Sequence, residues 1–229
     1  MENNQIPRSK LIWLVGSRLI LGIPVLFLIL FLPAGTFAYL EAWIYLAVLL
    51  IPMFFVMIYY IKKAPEFLER RMRLKEKERE QKLIIKLAFI PYLLAFILPG
   101  IDKRSGWSNV PLYLAVAADI LVFVSYIFIL YVFHVNQFAS RIVEVEKGQK
   151  VIQSGPYRFI RHPMYLGTII MYAVSPLALG SYWAMIPGLL IIPVIIARIL
   201  NEEKVLTQEL EGYAEYKLKT RYRLIPGVW

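Results

Sequence analysis

The chain has 229 residues, no cysteine and a formal net charge of +10, with a mean hydropathy of +0.59. The lack of cysteine excludes disulfides, thiolate metal sites and cysteine nucleophiles. At 59% hydrophobic residues, the chain is more apolar than a soluble domain, which is roughly half apolar.

The excess lies in blocks long enough to cross a bilayer, where roughly 20 apolar residues make one span. Six blocks qualify, at 18–34, 38–61, 83–100, 111–133, 164–180 and 182–200. The expectation is an all-α, polytopic integral membrane bundle of about six transmembrane helices. The opening MENNQIPRSK lacks the basic, apolar, small-residue order of a cleavable leader. Arg18 interrupts the first apolar run, so residues 8–18 are expected to lie along the interface before the span begins.

The first two spans form a hairpin through Pro33-Ala34-Gly35. Pro24 and Pro52 lie inside spans, which membrane helices tolerate when neighbours satisfy the freed carbonyls. Next comes KKAPEFLERRMRLKEKEREQK, where Glu69 to Arg73 and Glu78 to Lys82 are favourable pairs on a solvated helix. The third span is interrupted by Pro91 and ends at Pro99-Gly100. In the fourth, Asp119 sits well inside an apolar run. Such carboxylates pair with a partner or face a cavity, and Arg18 and Lys86 are the candidate partners. His134 closes that span as an interfacial residue.

In 136–162 the alternation of RIVEVEKGQKVIQSGPY around Gly148 predicts a short β-hairpin. HPMYLG then opens the fifth span, with Pro163 suited to the first turn of a helix. Gly180-Ser181 turns the chain into the sixth span, which ends at ARILNEEK. In the tail, Leu206, Leu210 and Tyr213 share one face of a predicted amphipathic helix against the mouth of the bundle. The organisation read from this is one membrane domain over 1–229, with N-terminal spans in 1–135 and a functional region in 136–229.

Lys and Arg crowd 62–82, 136–162 and the stretch from Arg198 onward, while the opposite loops hold only Lys103 and Arg104. The positive-inside rule puts both termini, the 62–82 loop, the 136–162 segment and the tail helix in the cytoplasm. Topology accounts for the charge, and no nucleic-acid role is expected. Two histidines and one adjacent Glu pair have neither the number nor the spacing of a metal set. No glycine-rich phosphate loop follows a strand.

Polar residues collect in Gln149–Tyr165 and Arg198–Tyr216. Because the last two spans form a tight hairpin, His162 and Tyr165 should lie near Arg198, Glu202 and Glu203. Arg198 and Glu202 are four residues apart and share a helix face. From spacing alone, the arginines also read as topological anchors and the tyrosines as an aromatic belt.

The segment GQKVIQSGPYRFIRHPMYLG, followed by RILNEEKVLTQELEGYAEYKLKTRYRLIP, closely resembles the isoprenylcysteine carboxyl methyltransferase family, within a wider group that includes phospholipid N-methyltransferases. The shared pattern is Gly155-Pro-Tyr157, Arg161-His-Pro-Met-Tyr165, Arg198-Ile-Leu-Asn-Glu-Glu203, Gly212-Tyr-Ala-Glu-Tyr216, and a terminal Ile225-Pro226. The resemblance implies methyl transfer from S-adenosylmethionine by an integral membrane enzyme. It implies cofactor contacts at Gln149, Lys150, Val151, Ile152, Tyr157, His162, Pro163, Met164, Tyr165, Glu202 and Glu203, with Arg161, Glu203 and Tyr216 giving structural support. Arg198 would bind the carboxylate of the substrate, and Arg198 with Glu202 would form the catalytic pair. Gln149 departs from the histidine found at that place in members acting on prenylated proteins. The implied acceptor is a lipophilic small molecule or prenylated carboxylate drawn from among the membrane lipids. The alternatives are phospholipid or small-molecule N-methylation, an NADPH-dependent membrane reductase, and a non-catalytic lipid-binding protein.

Overall fold

The computed structural model describes residues 7–229 apart from Leu74 and Lys77. Its helices are α1 (Arg8–Ala34), α2 (Leu40–Lys63), α3 (Pro65–Met72), α4 (Arg79–Ser105), α5 (Leu112–Val135), α6 (Pro163–Ala178), α7 (Met185–Leu189), α8 (Ile191–Glu209) and α9 (Tyr213–Lys219). Five stretches are long and apolar enough to cross a membrane, namely α1, α2, α4, α5 and Met185–Glu209, while α6 is apolar but shorter. The protein is a multi-pass helical membrane bundle.

In lipid, burying apolar surface gives helices little reason to associate, so close packing of small residues and interhelical hydrogen bonds must hold them. Ala34, Ala42, Ala95, Ala115, Ala118 and Ala178 are all buried at helix contacts. Helix α5 packs chiefly on α6, and α1 on α4. Gly167 permits the first of these contacts, because a Cβ there would stand 2.7 Å from Ile129 Cγ1 and 3.2 Å from Phe128 Cδ1. The outward faces carry large exposed apolar side chains such as Trp13, Ile20, Leu32 and Phe55.

The end of the bundle opposite the basic loops is tied by hydrogen bonds. Buried Asp102 accepts from Ser108 N and Ser108 Oγ, both at 2.6 Å, and from Ser181 Oγ. Tyr45 donates to Ser175 Oγ at 2.8 Å, joining α2 to α6.

Several expectations change. Helix α1 is continuous from Arg8, so residues 8–18 belong to it. Arg18 Nη1 donates to Met72 Sδ, and both Asp119 oxygens are buried without a hydrogen-bond partner. The proposed pairing of Asp119 with Arg18 or Lys86 therefore does not occur. The block 182–200 is two helices meeting at Leu190, since Pro193 has no N–H to offer the carbonyl of residue 189. Helix α8 then runs to Glu209, beyond the expected end. The segment 141–157 forms no hairpin: among the described residues there is no strand, and its backbone is held by side chains instead. Arg73, expected to pair with Glu69, reaches out of the 62–82 loop to Glu144 and Glu146. The tail helix breaks at Leu210–Gly212, yet Leu206, Leu210 and Tyr213 still meet in one cluster, joined by Tyr216.

Candidate active site

Three elements converge at the basic end of the bundle. Pro163 starts α6 inside its first turn, where the missing N–H is no loss. This stations His162, Met164 and Tyr165 at the mouth of the helix. The segment 136–162 crosses that mouth, and α8 delivers Arg198 and Glu202 from the other side.

The crossing segment is anchored by α3. Arg70 Nε donates to Glu146 Oε2 at 2.7 Å, and Arg73 pairs with Glu144 and Glu146. Gln149 Oε1 accepts from Glu146 N at 3.0 Å, closing the turn around Gly148. Val143 N donates to Glu76 Oε2 at 3.2 Å. Gly155 has a φ of +57° and packs against Tyr131 and Val135. That left-handed backbone is one an L side chain rarely adopts, and it turns Tyr157 inward.

A second anchor ties the carboxyl-terminal tail to α6 and α8. Glu203 Oε1 accepts from Arg161 Nε at 2.6 Å and lies 3.2 Å from His162 Nε2, while its Oε2 accepts from Arg223 Nε at 3.0 Å. Arg161 Nη1 also donates to the carbonyls of Thr220 and Arg221, each at 2.8 Å. A buried carboxylate shared by two guanidiniums has its acceptor sites filled, which offsets its desolvation.

Between the anchors lies a cavity open to solvent. Gln149, Lys150, Val151, Ile152, Tyr157, His162, Met164, Tyr165, Arg198 and Glu202 all line it. Pro163 and Glu203 do not; Glu203 points into the Arg161–Arg223 clamp, as a structural residue would. Sequence reasoning missed the wall made by Asn136, Phe138, Ser140 and Val143, and gave Tyr213 only a packing role.

At the centre, Tyr165 Oη donates to Glu202 Oε2 and accepts from Arg198 Nε at 2.8 Å. Arg198 and Glu202 are thus joined through one phenol rather than paired directly. Arg198 Nη1 donates to Gln81 Oε1 at 2.9 Å, and Nη2 to the Arg141 carbonyl at 2.8 Å. Gln81, fully buried at the start of α4, also donates to the Arg198 carbonyl at 3.2 Å and to Asn201 Oδ1 at 2.6 Å. Asn136 Nδ2 donates to Tyr157 Oη at 3.0 Å. Burial pushes the Tyr157 and Tyr213 phenols above their ordinary range, with nearby carboxylates adding to the effect. Both stay protonated donors at neutral pH. Tyr213 lines the cavity, and its buried Oη has no hydrogen-bond partner among the described residues.

The cavity's lining is therefore aromatic, with the carboxylates of Glu144 and Glu202, the guanidiniums of Arg161 and Arg198, the Lys150 ammonium, the His162 imidazole and neutral phenol donors. No group of three or more His, Cys, Asp or Glu side chains able to hold a metal occurs among the described residues. Residues 113–212 match the family model described as phospholipid methyltransferase. That segment contains the GxY, RHPxY and R-x-x-x-E-E motifs but ends before Tyr213 and the clamp residue Arg223. Among curated proteins, none matches the chain.

Proposed function

From the match of residues 113–212 to the phospholipid methyltransferase family model, we propose that the cavity binds S-adenosylmethionine and directs methyl transfer to a lipophilic acceptor. The family implies a membrane methyltransferase. The finer reading is a carboxyl O-methyltransferase working at the cytoplasmic face, and the observation that carries it is the Tyr165–Arg198–Glu202 triad inside the cavity.

The lining fits the cofactor. A sulfonium is a cation, and Tyr157, Tyr165, Tyr213 and Tyr216 supply aromatic faces that attract cations. Glu202 adds an anion, and its Oε1 makes no hydrogen bond among the described residues.

When bound, the cofactor supplies an electrophilic methyl group whose carbon–sulfur bond breaks as the new bond forms, the electron pair remaining on sulfur. The protein's work is alignment and the exclusion of water. Arg198, fixed by Tyr165, Gln81 and the Arg141 carbonyl, holds the acceptor's carboxylate at the cavity. A carboxylate is ionised at neutral pH, so this nucleophile needs no base. Positioning of this kind can remove about 7 kcal/mol or more of barrier.

Calorimetric titration of the detergent-solubilised protein with S-adenosylhomocysteine, beside NADPH, tests the reading. Saturable binding of the first and none of the second is expected. Glu202→Ala should weaken that binding about tenfold or more, as loss of a charged hydrogen-bond partner does. Arg198→Ala should leave it nearly unchanged while abolishing acceptor turnover. Equal loss of cofactor affinity in the two variants would overturn this division of roles.

A further inference from the structure

Arg71 places a positive charge beside this cavity, against two of its lining residues, from the first half of the chain. It stands in the last turn of α3, with its guanidinium 4.6 Å from the Phe133 ring centroid. Its Nη1 donates to the Ser140 carbonyl at 3.0 Å and lies 4.0 Å from Met164 Sδ. Ser140 and Met164 both line the cavity.

Every one of these partners is neutral, and Arg71 forms no ion pair among the described residues. Arg198 likewise makes its direct hydrogen bonds to a phenol, an amide oxygen and a backbone carbonyl, although the Glu202 and Glu76 carboxylates stabilise its charge from farther away. The carboxylates around them have other partners. Glu203 serves Arg161 and Arg223, Glu144 and Glu146 serve Arg70 and Arg73, and Glu202 accepts from Tyr165. Burial lowers the Arg71 guanidinium to about 10; Tyr165 opposes that, and the charges of Arg141 and Arg198 lower it further. Arg71 and Arg198 donate to the adjacent carbonyls of Ser140 and Arg141, which brings the two guanidiniums to one stretch of the cavity wall. A partly desolvated guanidinium with no carboxylate partner, as at Arg71, is unfavourable, and an anionic ligand would relieve it.

We propose that Arg71 and Arg198 together form the seat for an anionic group on the methyl acceptor, so that the enzyme selects amphiphiles with a charged head over neutral ones. This rests on the methyltransferase reading above. Two guanidiniums suit a two-oxygen anion, either carboxylate or phosphate. A carboxylate so held is itself the methylated group. A phosphate would instead anchor a head group whose amine is presented to the methyl.

The test uses the full chain in a nonionic detergent. Binding of oleate and of dioleoyl phosphatidate is compared with that of methyl oleate and dioleoylglycerol, in the wild type, Arg71→Gln and Arg71→Lys. Affinity for S-adenosylhomocysteine is measured in each. At least one anionic probe should bind about tenfold or more tighter than its neutral counterpart, the scale of a charge-assisted hydrogen bond. Arg71→Gln should erase most of that preference, and Arg71→Lys should retain part of it, because a point ammonium replaces the fork poorly. S-adenosylhomocysteine affinity should stay within about twofold in both variants, since neither removes a predicted cofactor contact. The probe preferred by the wild type, oleate or phosphatidate, identifies the head group.

An anionic preference absent from the wild type, or intact in both variants, would overturn the proposal. So would a loss of S-adenosylhomocysteine affinity parallel to the loss of probe binding, which would assign Arg71 to the cofactor's carboxylate. Wild-type protein that prefers anions but does not bind S-adenosylhomocysteine would sink the methyltransferase reading and leave the anion seat standing.

Discussion

Tyr165 is the residue on which the site turns, because its hydroxyl both accepts from Arg198 and donates to Glu202. Tyr165→Phe keeps the ring and removes both bonds. Hydrogen bonds to charged groups are each worth about 1.5–3 kcal/mol. Turnover should fall about tenfold to a hundredfold and the melting temperature should drop as well, as steady-state kinetics and thermal unfolding would show. A turnover equal to wild type would mean that Arg198 and Glu202 are held without it. Most of this arrangement was legible in the sequence. The i,i+4 spacing put Arg198 and Glu202 on one face, and the tight turn between the last two spans brought that face beside Tyr165. Gln81 was not legible. It lies 117 residues from Arg198, in a charged run that reads as solvated, and only the folded chain shows it buried.

At the scale of elements, the site is a joint between α6, α8 and the tail, and Glu203 is its pin. It holds Arg161 at the start of α6 and Arg223 in the tail, and its side chain is 5% exposed. Glu203→Gln would leave two guanidiniums beside a neutral amide, and breaking a buried pair costs about 3–5 kcal/mol. The detergent-solubilised variant should melt well below wild type. At low temperature its affinity for S-adenosylhomocysteine should be close to wild type, because Glu203 does not line the cavity. A variant that melts normally but does not bind would make Glu203 a cofactor ligand. The sequence placed these elements well where apolar length decided them. It failed where side chains from elsewhere decide the backbone: the alternation in 141–157 suggested a hairpin, yet Arg70, Arg73 and Glu76 hold that segment as an extended wall. Similarly, Phe67 and Leu68 are buried on α3, so the helix that appeared to be a solvated connector is docked.

For the whole molecule, the proposed function would have the architecture set a water-soluble cofactor against a lipid-soluble acceptor. The outer faces are apolar, the far end is tied by Asp102, and the polar residues meet at the basic end. The positive-inside rule leads us to propose that this end faces the cytoplasm, where the cofactor would be supplied. Asp119 remains the exception, a buried carboxylate in α5 without a hydrogen-bond partner; it lies outside the cavity lining, and the account gives it no role.

The most direct measurement is transfer of labelled methyl from S-adenosylmethionine by the purified protein in lipid nanodiscs supplied with a lipid extract of its source cells. The account predicts label in the organic phase, released as methanol by mild base, and none with Arg198→Ala. Label that resists base would mean an N-methyl product and contradict the carboxyl reading. Protein that binds S-adenosylhomocysteine but transfers no label would contradict the central claim that this cavity is a methyltransferase active site.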